Sequence, residues 1–128
     1  MPAPTFRKEE RIVSNKLMEM LFEKDNSRSL SAFPIRAVYL LTEHRAGCAP
    51  IQTLISVPKK KFKHAVDRNR VKRQIREAFR LHKHLLYEVV PEDKLLLIAF
   101  IWLSDRHFPS PEVERRVSGL IRKISQNV

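Results

Sequence analysis

At 128 residues with 43% hydrophobic side chains, the chain has the size of one domain and enough apolar material for a small core, which excludes a disordered tail. Lys and Arg number 25 against 14 Asp and Glu, so the net charge of +11 makes the chain repel itself and suits it to a polyanion, nucleic acid first. Its single cysteine, Cys48, excludes an internal disulfide and fits a reducing, cytoplasmic setting. The longest apolar run, Leu95 to Leu103, is nine residues and too short to cross a bilayer.

Residues 1–13 read as an extended basic arm carrying Lys8 and Arg11, with no secretory h-region. Ser14 is placed to cap a first helix whose apolar Leu17, Met18, Leu21 and Phe22 have helical spacing and which ends near Asp25 and Asn26. Residues 26–34 read as a polar loop closed by Pro34. Two strands follow, Ile35 to Thr42 and Ile51 to Val57, separated by a turn with Gly47 and Pro50 and stopped by Pro58. A long helix is predicted over 67–87, with a start that could lie a few residues earlier. Leu95 to Leu103 reads as a strand buried on both faces. Ser110 then caps a last helix with Pro111 at its first position, Glu112 and Glu114 in its first turn, and a stripe of Val113, Val117, Leu120, Ile121 and Ile124. The expected fold is a small α+β domain with a mixed sheet in the order α-β-β-α-β-α, an extra short strand near the amino terminus being optional.

Charge is concentrated in one place. Between Lys59 and Lys83 there are 11 Lys or Arg and only Asp67 and Glu77, a local charge of +9. On a helix turning 100° per residue, Lys72, Lys83, Arg76, Asn69, Arg80 and Arg73 span a stripe about 100° wide that starts about 40° round from Arg68, while Val71, Ile75, Ala78, Phe79 and Leu86 lie outside it. Arg70 and Glu77 fall outside that stripe. A rigid rod with one core face and one guanidinium face suits phosphates at regular spacing, because the planar fork of Arg grips phosphate at two points. Lys59, Lys60 and Lys61, just before the helix, add a second phosphate-contact surface.

The run Ser56-Val57-Pro58-Lys59-Lys60, then Ala65-Val66-Asp67-Arg68-Asn69-Arg70-Val71-Lys72-Arg73, then Arg76-Glu77-Ala78-Phe79-Arg80 closely resembles the signature of the bacterial ribonuclease P protein component. Weaker similarity extends from about Phe6 to about Ile124. The chain departs from the family at Pro58, at Phe62-Lys63 where Gly-Asn is common, at Leu54 for a glycine, and at Leu17 for an aromatic. The resemblance implies a left-handed β-α-β crossover whose helix carries Arg-Asn-Arg. It also implies two RNA partners, a catalytic RNA and the precursor tRNA whose 5′ leader that RNA removes. Arg68, Asn69, Arg70, Lys72, Arg73, Arg76 and Arg80, with Lys59, Lys60 and Lys61, would meet the catalytic RNA. Phe22 and Tyr39, helped by Lys8 and Arg11, would line a leader cleft between the first helix and the sheet. Each of the two aromatics has a second reading as a core side chain.

Protein-borne catalysis is not expected, and no catalytic or metal-ligating residue is assigned. The acids Glu19, Glu23, Glu43, Glu88 and Asp105 are scattered, whereas two-metal nucleases gather carboxylates. The histidines His44, His64, His82, His84 and His107 form no evident acid–base pair. Mg²⁺ is expected to be held mainly by the RNA, with no organic cofactor on the protein and no membrane or DNA partner. A DNA regulator would show a helix-turn-helix, yet the basic helix follows a strand and a lysine run. A ribosomal or assembly protein that binds structured RNA is the remaining alternative, separated only by the Arg-Asn-Arg signature.

Overall fold

The apolar run of residues 95–103 has no polar face to give to water, so it belongs in the middle of a sheet covered on both sides. A computed structural model of the chain, which describes residues 15–23, 27–43 and 49–128, places it there. The elements are α1 (Asn15–Phe22), β1 (Arg28–Ala32), β2 (Ile35–Glu43), β3 (Ile51–Ser56), α2 (Ala65–His82), α3 (His84–Tyr87), β4 (Lys94–Trp102) and α4 (Ser110–Asn127). The strands form one sheet in the order β1-β2-β4-β3. β2 is antiparallel to both β1 and β4, whereas β3 is parallel to β4. The fold is therefore α+β with a mixed sheet, and α2 with α3 is the crossover joining the parallel pair.

Successive strand side chains point to opposite faces. Leu95, Leu96, Leu97, Ile98, Ala99 and Phe100 are all fully buried, at 0% exposure. Leu96, Ile98, Phe100 and Trp102 join Ile35, Ala37 and Tyr39 against Val71, Ile75 and Phe79 of α2 and the predicted stripe of α4. Leu95, Leu97 and Ala99 instead meet Leu17 and Leu21 of α1, with Val38 of β2. Thus α2 and α4 cover one face and α1 the other. Each fully buried Leu, Ile, Val or Phe among them contributes about 1.5–3 kcal/mol by leaving water.

Four expectations need correction. The polar loop of residues 26–34 contains β1, an edge strand of weakly β-forming Ser and Ala residues. Its register opposite β2, Arg28 against Tyr39 through Ala32 against Ile35, organises it. The long helix begins at Ala65, two residues earlier as the sequence allowed, but it ends at His82, and the single turn α3 to Tyr87 follows Lys83, whose N–H still reaches Phe79 O at 2.8 Å. Ser110 is not the cap of α4: Pro109 occupies that position without a side-chain hydrogen bond, and Ser110 Oγ accepts from Gln74 Nε2 at 3.0 Å. Finally, α1 ends at Phe22, short of Asp25. Ser14, Asp25, Asn26, Gly47 and Cys48, with the arm of residues 1–13, lie outside the described residues.

Candidate RNA interface

The frame of the interface is α2, and its orientation follows from its own sequence. Val71, Ile75, Ala78 and Phe79 are buried against the sheet, with Phe79 edge-on to Phe100 at 6.0 Å between ring centres. The opposite side must then face water, and the cations occupy it.

Three polar links hold one flank of α2 to the β4–α4 segment. Asp67 Oδ1 lies 2.9 Å from His107 Nε2. Gln74 Nε2 donates to Phe108 O at 2.9 Å as well as to Ser110 Oγ. His82 Nε2 lies 3.1 Å from Glu114 Oε1. His107 also stacks on Phe62, with ring centres 4.6 Å apart and planes 17° from parallel. These links fix both the start of α2 and the loop before it. They join residues 32 to 40 positions apart in sequence, so no local pattern announces them.

The predicted cations divide into two groups. Arg68 is a brace: its Nη1 donates to Phe62 O at 2.8 Å and to Lys63 O at 3.0 Å, closing the loop that follows Lys61. Arg80 is tied to Glu77 one turn back, Nε to Oε2 at 3.1 Å. That hydrogen bond, more than simple charge attraction, holds the Glu77 carboxyl below its ordinary value and raises the Arg80 guanidinium. The side chains of Lys72, Arg73 and Arg76 have no hydrogen bond or ion pair among the described residues, and neither does that of Arg70. Asn69, Arg70 and Arg73 are exposed and Lys72 and Arg76 half-buried along their stems, the arrangement in which a long aliphatic stem lies on the protein and the charge reaches water. Lys83, at the far end of the stripe, lies 5.8 Å from the centre of the Tyr87 ring. Lys59, Lys60 and Lys61 sit in the turn between β3 and α2, with the Lys61 N–H on Pro58 O at 3.0 Å. Lys59 and Lys60 are exposed. The structure therefore brings the lysine turn and the basic helix face together and puts no acid between Lys72, Arg73 and Arg76.

The second predicted surface splits. Phe22, at the end of α1, is 47% exposed. Tyr39 is 5% exposed and belongs to the core beneath α2 and α4. The reason is the strand period: Val38 and Leu40 of β2 turn toward α1, so Tyr39 between them turns away. Its placement in a cleft beside α1 is corrected to a core position, and the sheet separates it from Phe22. The half-buried side chains near α1 are Met18, Met20, Leu40, Leu54 and Ile101. Lys8 and Arg11 lie outside the described residues.

Among the described residues, no three His, Cys, Asp or Glu side chains converge in a way that could hold a metal ion. His82 and His107 are each engaged with a carboxylate that positions α2. The α2 side offers aligned cations and the α1 side an exposed aromatic ring, groups suited to binding a polyanion and its bases.

A family model described as Ribonuclease P matches residues 6–124. The chain is 40% identical to the Ribonuclease P protein component of Porphyromonas gingivalis, over 98% of this chain and 91% of that protein. It is 30% identical to the protein of the same description from Chlorobium phaeobacteroides, over 94% and 88% of the two chains. Among solved structures, the RNase P protein from Thermotoga maritima superposes with a TM-score of 0.66, covering 89% of this chain and 96% of that one at 20% identity. That last likeness concerns the fold alone.

Proposed function

Because the chain belongs to the ribonuclease P protein family, we propose that it binds the catalytic RNA of ribonuclease P through α2 and the lysine turn, and assists that RNA in removing the 5′ leader from precursor tRNA in the cytoplasm. The observation that carries this reading is the row Lys72, Arg73 and Arg76, unpartnered on the outer side of a helix whose inner side is locked into the core. Cations held on a rigid element lose little freedom when they meet phosphates, and the counterions they displace drive binding.

In this reading Arg68 shapes the lysine turn and Lys59, Lys60 and Lys61 add phosphate contacts beside the helix. Asn69, Arg70 and Arg80 border the row. The protein supplies no general acid, base or metal. It lowers repulsion between two RNAs and so reduces the Mg²⁺ they require, the ions themselves being held mainly by RNA. Phe22, on the side of the sheet that also carries the half-buried Met18, Leu40, Leu54 and Ile101, offers an apolar surface on which unpaired leader bases stack without sequence preference, and Lys8 and Arg11 supply charge from the arm. Contacts to the leader exist in the precursor and not in the mature product, which favours substrate over product.

The test mixes the chain with a bacterial ribonuclease P RNA and a precursor tRNA at low Mg²⁺. The chain alone cuts nothing, the RNA alone cuts little, and the mixture releases the leader. Binding of RNA with no gain in leader release would refute the proposal and leave an RNA-assembly role.

A further inference from the structure

The outer face of α4 carries charge that the role of α2 does not use. Arg115 and Arg116 lie four and three residues before Gly119, and Arg122 and Lys123 lie three and four residues after it. Residues at these separations share one helix face, so four cations surround one glycine. Arg115 and Arg116 are 70% and 45% exposed and share a single acid, Glu112, with the Arg116 contact at 3.0 Å. Arg122 and Lys123 are exposed, and their side chains have no hydrogen bond or ion pair among the described residues.

Gly119 supplies a second, independent observation. Glycine weakens a helix interior relative to alanine, and here the fold does not require it: a Cβ built at Gly119 would meet nothing within 4 Å. A backbone notch that internal packing does not need is suited to close approach from outside. We propose that this face of α4 is a second RNA-docking surface, which seats a phosphodiester backbone at Gly119 between the two pairs of cations. The choice of RNA as the polyanion rests on the reading above. The surface is distinct from the first but borders it: α4 meets the flank of α2 that carries Gln74 and His82, Arg73 lines a crevice with Ser110 and Glu114 at the start of α4, and Lys72 and Arg76 lie on the other flank. A lipid surface fits less well. Among the described residues the exposed large apolar side chains are Phe22, Phe33, Val66, Leu81, Tyr87 and Val89, none of them on α4, and an interfacial helix needs an apolar face to bury.

The test uses the full chain, with ribonuclease P RNA, precursor tRNA and phosphatidylglycerol vesicles as separate probes. Arg122→Ala/Lys123→Ala is expected to lower the slope of log affinity against log salt by about 1.5 for one of the two RNAs, at 0.7–0.9 for each lost phosphate contact. Gly119→Gln, a better helix former whose side chain fills the notch, is expected to raise Tm while weakening binding of the same RNA several-fold. Unchanged slope and affinity for both RNAs in both variants would overturn the proposal, and so would loss of vesicle binding with RNA binding intact. If the parent chain fails to stimulate leader release yet the α4 variants still lose RNA affinity, the ribonuclease P assignment falls and this surface stands.

Discussion

Replacing Lys72, Arg73 and Arg76 together by Ala separates charge from fold. None of the three has an internal partner among the described residues, and Ala is the strongest helix former, so each change should move stability by no more than about 0.5 kcal/mol. Thermal unfolding followed by circular dichroism should therefore be nearly unaltered. RNA binding should not be. Each phosphate contact adds about 0.7–0.9 to the slope of log affinity against log salt, so three lost contacts flatten it by roughly 2–2.7. Raising salt fourfold would then cost the parent chain roughly 20- to 40-fold more affinity than the variant. Filter binding to ribonuclease P RNA across a salt series measures this directly. A triple variant that folds, binds and keeps the parental slope would show that the row is merely solvated, and the proposed docking through α2 would fail with it.

Arg68→Ala should behave in the opposite way: it removes two bonds to the carbonyls of Phe62 and Lys63, so stability falls by about 1 kcal/mol, a Tm loss of roughly 3–6 °C. Glu77→Ala releases Arg80 from its carboxylate and should steepen the salt dependence by about 0.7–0.9, at little change in Tm because the pair is at the surface. The folded carboxyl of Glu77 is held low, so the contribution of the pair is present above the unfolded value and is lost only as pH falls below the usual carboxylate range. Phe22→Ala, at a side chain 47% exposed, should weaken binding of precursor tRNA more than of mature tRNA and shift Tm slightly. Cooperative loss of fold in its circular dichroism would instead make Phe22 a core residue.

The basic row and the core face of α2 could be read from the chain because a helix converts spacing into direction, and Val71, Ile75 and Phe79 fix that direction. The α4 stripe and the doubly buried β4 were legible for the same reason. β1 was not, since Arg28, Ser29 and Ser31 form an edge strand only through pairing with β2. Tyr39 could not be assigned until the face of β2 turned toward α1 was known, a fact set by Leu17 and Leu21 meeting Val38. The contacts of His107 with Asp67 and Phe62 join distant parts of the chain, and only folding brings them together. The cap of α4 was misplaced by one residue because Ser110 is bonded by Gln74 instead of serving its own helix.

The placement of β4 has a mechanical consequence. Phe22 and the Lys72-Arg73-Arg76 row stand on opposite sides of a sheet whose central strand has no slack, with water excluded along six consecutive residues. Interiors packed to that degree transmit strain but do not compress. The strand thus acts as a fixed gauge between the two outer surfaces, holding whatever is bound on one side at a constant offset from whatever is bound on the other.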